Sequence, residues 1–142
     1  MIHIIKPKGL SENIYYSQLF KLKKTLNDKS HYEAVLWIHI SEDNLSGYDY
    51  EYNKIIDKEY VSDNDIIYCR SWRDYLKLKV LFVGMDVRFI YDFRALLTFE
   101  SWYRNKSLLR FIILYFIEMF CYMTADQINA VSNKLSKKLQ SL

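Results

Sequence analysis

The chain has 142 residues, 51% of them apolar and 26% charged, with a formal net charge of +3. That length can bury one core without disulfides or metal, and that balance excludes wholesale disorder, so a single domain over 1–142 is expected. One proline and three glycines leave the chain poor in breakers, which predicts long elements joined by few sharp turns.

Residues 2–5 are a short β-branched run stopped by Lys6-Pro7-Lys8-Gly9, which predicts a strand and a turn. The run is too short for a signal peptide, and its charges follow it; a cytoplasmic protein is expected. Ser11 can cap a helix over 11–27, with Ile14, Tyr15, Gln18, Leu19, Leu22 and Leu26 at spacings of three and four. Residues 34–40 (AVLWIHI) predict a strand buried on both faces. Residues 42–47 read as a loop. Tyr48, Tyr52, Ile55, Ile56 and Glu59 suit a short helix over 48–60, and 61–65 read as a turn.

Residues 66–72 predict a third strand. Residues 77–83 and 87–93 flank Gly84-Met85-Asp86 and predict a hairpin by their alternation, although Tyr75, Leu78, Leu81 and Phe82 also keep helical spacing. Ser107 caps a predicted helix to about Met123, in which Arg110 and Glu118 are the only charges. Leu108, Leu109, Ile112, Ile113, Phe116, Ile117, Met119, Phe120 and Met123 fill one half of its wheel, which predicts a core helix rather than a membrane span. Thr124 is expected to cap a last helix striped by Ile128, Val131, Leu135 and Leu139. The elements together predict an α+β fold: a small β-sheet packed by the N-terminal helix and by a C-terminal antiparallel helical pair. An all-α bundle is the alternative.

Motifs for chemistry are missing. No Gly-rich loop or nucleophile elbow occurs, His3, His31 and His39 lack ligand spacing, and Cys69 and Cys121 have no Cys-x-x-Cys partner. No enzyme, cofactor or metal site is therefore expected, and both cysteines read as buried thiols in a reducing compartment.

The charge pattern does carry information. Residues 42–65 hold a charge of −6, against +4 for 1–30, −1 for 31–41 and +6 for 66–142. Acid and tyrosine together suit a surface that grips a basic protein. Tyr48, Asp49, Tyr50, Glu51, Tyr52, Asp57 and Glu59 are the candidate partner-binding residues. The concrete expectation is a bacterial toxin-immunity protein whose carboxylates at 49, 51, 57 and 59 mimic phosphates in a nuclease cleft. Two alternatives stand beside it. One is a nucleic-acid binder using Arg70, Arg73, Lys77 and Lys79 with Trp72 and Tyr75, made unlikely by a pI of about 8.7. The other is a viral or mobile-element host-interaction protein. Residues 83–89 (VGMDVRF) resemble the Gly-Arg turn of viral apoptosis regulators, but the Asn-Trp-Gly of that family is absent and no residue is carried over.

Overall fold

The structure is a computed structural model, and it describes residues 1–7, 15–29, 33–38, 48–51, 59–93 and 97–130. Ile2–Ile5 forms β1. A π-helical stretch, Tyr15–Phe20, runs into α1, Lys21–Lys29, and β2 follows at Ala34–Ile38. β3 is Tyr50–Glu51, β4 Ile66–Cys69, α2 Trp72–Leu81 and β5 Arg88–Phe93. α3 is Leu97–Asn105, α4 Leu108–Thr124 and β6 Gln127–Ala130. The fold is mixed α/β.

The strands form one sheet in the order β3-β2-β1-β4-β5-β6, and every pairing is parallel. β1 sits at the centre, with Ile5 in register with Trp37 on one side and Cys69 on the other. Strands buried on both faces read as continuous apolar runs, as IHII, AVLWI and IIYC do.

Side-chain alternation divides the core between the two faces. Ile2, Ile4, Ala34, Leu36 and Tyr68 pack with Leu19 and with the half-buried Leu22 and Leu26 of α1. Ile5, Trp37, Ile67, Cys69, Phe89 and Tyr91 pack on the other face with Tyr75 and Leu78 of α2 and Cys121 of α4. Crossovers between parallel strands are right-handed, and the chain moves outward in opposite directions from β1 and from β4. The helices of the two halves therefore cover opposite faces.

Several expectations need correction. The sheet is parallel and interleaved with helices, so the segregated α+β arrangement gives way to an alternating one, and the all-α alternative falls. The hairpin at 77–93 is absent: α2 occupies its first half and β5, parallel to β4, its second. Gly84 has φ +88°, and it turns the chain out of α2 rather than between antiparallel strands. Tyr50 and Glu51 are in a strand, not a helix. Gln127–Ala130 is also a strand, so no helix starts at Thr124; its hydroxyl donates to the Phe120 carbonyl at 2.8 Å. The rest of that predicted helix, 131–142, lies outside the described residues, as do 11–14, 39–40 and 52–58 of other predicted elements.

α4 begins where predicted, with the Ser107 hydroxyl accepting from the Arg110 amide at 3.4 Å, but it faces the other way. Its buried residues are Glu118 and Cys121, and its apolar half points outward. Glu118 is held inside by the Thr98 hydroxyl of α3, which donates to its carboxylate. A buried acid with a partner offsets part of its desolvation cost, so the polar side can be the inner one.

Candidate functional site

In a parallel sheet all strand starts share one edge and all strand ends share the other. The two edges of this sheet carry different polar groups. At the amino edge, aspartates accept from N–H groups of strand starts and of the turns beside them. Asp126 accepts from the Phe89 amide at 2.7 Å and Asp63 from the Asp86 amide at 3.0 Å. Asp65 accepts from the N-terminal ammonium at 2.6 Å, the Ser62 amide at 2.8 Å and His3 Nε2 at 3.1 Å. Burial pushes the Asp65 carboxyl upward, but these three donors outweigh it and hold the group below its ordinary value.

The carboxyl edge brings two cations together. Lys6 follows Ile5 and Arg70 follows Cys69, and since Ile5 and Cys69 are in register the two cations stand side by side at the ends of β1 and β4. Lys6 is fully buried. Arg70 Nε lies 3.2 Å from Asp92 of β5, whose other oxygen accepts from Asn129 of β6 at 3.1 Å. This network ties three strand ends together. β1 and β4 also flank the point where the strand order reverses direction, the position at which open α/β sheets bind ligands beyond their strand ends.

Beside it, three helices meet. α2 starts three residues after β4, and its Ser71 cap, at 3.5 Å from the Asp74 amide, sets its first turn at this edge. α4 returns towards the amino edge, where Asp126 bonds Phe89, so its own first turn also lies at the carboxyl side. Between α2, α3 and α4 is a cavity of about 200 Å³ lined by Trp72, Arg73, Ser101, Arg104, Asn105, Arg110 and Leu114. Among the described residues, three guanidinium groups line it and no carboxylate does. Arg73 lies 5.2 Å over the Trp72 ring, which orients it. Ser101 is nine-tenths buried, and its hydroxyl oxygen has no hydrogen-bond partner among the described residues. A buried hydroxyl left without a partner is uncommon, and here it belongs to a residue that lines the cavity.

The acidic candidates are dispersed. Tyr48 and Glu59 are exposed. Asp49 is turned towards β2, where its carboxylate accepts from the Leu36 amide at 2.6 Å and from Lys23 at 2.7 Å. Tyr50 stacks on Trp37 with ring centroids 4.6 Å apart. Glu51 ends the edge strand β3, and Tyr52 and Asp57 lie outside the described residues. Of the basic candidates, Arg73 reaches the cavity. Arg70 is in the Asp92 pair, Tyr75 is fully buried, and Lys79 lies 4.6 Å from the Phe89 ring.

No family model, no curated protein and no solved structure matches this chain. The site therefore has to be judged on its own geometry. Among the described residues no cluster of three or more His, Cys, Asp or Glu is arranged to hold a metal ion. The cavity went unread in the sequence because its lining comes from three helices. One signal was available: Ser101, Arg104 and Asn105 are at i, i+3 and i+4, a single helix face.

Proposed function

We propose that this chain binds a small phosphate-bearing ligand at the carboxyl edge of its sheet. The observation that carries this reading is the cavity with Arg73, Arg104 and Arg110 around the unpartnered hydroxyl of Ser101. Guanidinium groups match phosphate oxygens in a fixed fork, a hydroxyl donates to the same oxygens, and two helix N-termini nearby favour negative charge. The strand order supports it, since the reversal between β1 and β4 opens the same edge. The reading is one of recognition and assigns no reaction.

Calorimetric titration of the full chain with inorganic phosphate and with a simple phosphate monoester tests it. Saturable binding, weakened roughly tenfold by Arg104→Ala or by Arg110→Ala, is expected from the loss of one charge-assisted contact. Equal binding of both variants would exclude the cavity.

A second reading keeps the acidic surface as the interface for a basic protein, a cognate toxin being the concrete case. It is favoured by the exposure of Tyr48, Tyr60 and Glu59 beside β3, which is an edge strand. Salt-sensitive capture of a basic partner, lost on Glu59→Gln with Tyr48→Ala, is its test.

A further inference from the structure

α4 carries its apolar half outward. At about 100° per residue, Leu108, Leu109, Ile112, Phe116, Phe120 and Met123 fall on one continuous arc, and all six are exposed. Leu109 is 70% exposed and Phe116 66%. Six large apolar side chains exposed along one arc form a contiguous patch of the kind that marks an interaction surface. It continues into an apolar hollow between α3 and α4 lined by Phe99, Trp102, Leu108 and Phe111.

Three features define the chemistry that would cover this face. The first is charge. Residues 101–117 contain Arg104, Lys106 and Arg110 and no carboxylate; Arg104 and Lys106 lie just before the N-terminal end of the arc, and Arg110 falls on the cavity side of α4. The second is the aromatic pair Trp102 and Tyr103, exposed beside those cations; such rings favour the level of lipid headgroups, where one end is apolar and the other wet. The third is length. α4 has 17 residues, and among the described residues no helix is long and apolar enough to cross a membrane. An open apolar face flanked by cations and by Trp and Tyr is the pattern of a helix that lies in the plane of the interface.

We infer that α4 docks flat on an anionic lipid surface, its arc at the acyl boundary and Lys106, with Arg104 beside it, against the headgroups. Charge complementarity selects this occupant. The cations would gain from anionic headgroups at about 1 kcal/mol per residue converted to fold-change, roughly fivefold each. The inference stands apart from the phosphate-binding proposal in its apolar arc, none of whose residues lines that cavity; the two share Arg104.

The test is co-sedimentation of the full chain with large vesicles of phosphatidylcholine, with and without about one third phosphatidylglycerol. Binding to the anionic vesicles is expected, weaker at high salt. The double variant Ile112→Ser/Phe116→Ser should lose roughly tenfold or more of that partition. Both positions are exposed, and circular dichroism checks that the variant remains folded; Lys106→Ala, in the turn before α4, is a second variant, expected to lower binding to anionic vesicles alone. No binding by the wild-type chain overturns the inference. So does undiminished binding by the double variant. A concentration-dependent dimer that the double variant abolishes, with no vesicle binding, assigns the face to a second copy of the chain instead.

Discussion

The indole Nε1 of Trp37 donates to Nδ1 of His3 at 3.1 Å. An indole nitrogen can only donate, so Nδ1 is the acceptor and the proton of neutral His3 sits on Nε2, which donates to Asp65. The imidazole is fully buried, and burial is the main reason its pKa falls below 6.5, against the opposing pull of Asp65. A histidine with a depressed pKa stays neutral in the folded chain while the unfolded chain takes up protons. Its contribution to stability is therefore complete above pH 6.5 and is lost as the pH falls towards the folded value. Urea unfolding from neutral pH to about pH 5 should show falling midpoints in the wild type. His3→Gln, less stable at neutral pH, should show a flatter dependence across that window. A slope equal to that of the wild type would mean that other groups govern it.

The Arg70–Asp92 pair should be the costliest polar contact to break from one side. The Asp92 side chain is fully buried and the Arg70 side chain nearly so. Removing one partner leaves a buried charge uncompensated, which costs about 3–5 kcal/mol. Asp92→Ala should lose that much in chemical denaturation, and Arg70→Met/Asp92→Leu should recover most of it. If the double variant is no better than Asp92→Ala, the pair holds the strand ends by geometry rather than by charge.

Parts of this fold were legible and parts were not, for separable reasons. β1, β2 and β4 announce themselves because strands buried on both faces need unbroken apolar runs. Their direction does not, because it depends on what lies between strands. Leu78 and Phe82 satisfy both a strand period and a helix period, and Gly84 can turn either a hairpin or a helix end. β3 has only two residues and no period of its own; it is held by Tyr50 against Trp37 and by Asp49 against Leu36. In α4 the apolar half was plain in the sequence, but which half faces inward was decided by Thr98, which holds Glu118, and by the sheet cluster that takes in Cys121, distant partners that no wheel contains. The charge contrast was also visible. Part of its structural use is to hold the turns beside the strand starts at one edge of the sheet, where Asp65 accepts from the Ser62 amide and Asp63 from the Asp86 amide.

Tyr50 separates a packing role from a binding role. Its ring lies 4.6 Å from Trp37 and 5.1 Å from Tyr60, so truncation removes an aromatic cluster at the sheet edge. Tyr50→Ala should destabilise by about 2 kcal/mol, below the cost of a fully buried ring because Tyr50 is only half-buried. Tyr48→Ala, an exposed position, should change stability little. Equal, small effects from both would return Tyr50 to the list of partner anchors.

The two thiols should report global opening. Cys69 and Cys121 are unpaired with each other and fully buried in the same cluster as Tyr75 and Tyr91. Burial pushes the Cys121 thiol up to about 12, with Glu118 adding to the shift, and raises Cys69 well above its ordinary value. The thiolate is the reactive species, so both groups are inert at neutral pH for two reasons, lack of access and lack of ionisation. Labelling by an aromatic disulfide reagent should be slow in buffer and complete in denaturant. Cys121 sits on α4, whose outer face is open, and Cys69 sits in β4 at the middle of the sheet. If α4 can lift from the sheet without the rest unfolding, Cys121 reacts first and at a rate insensitive to low urea, whereas Cys69 waits for global unfolding. Simultaneous labelling of both would mean that α4 and the sheet open as one unit.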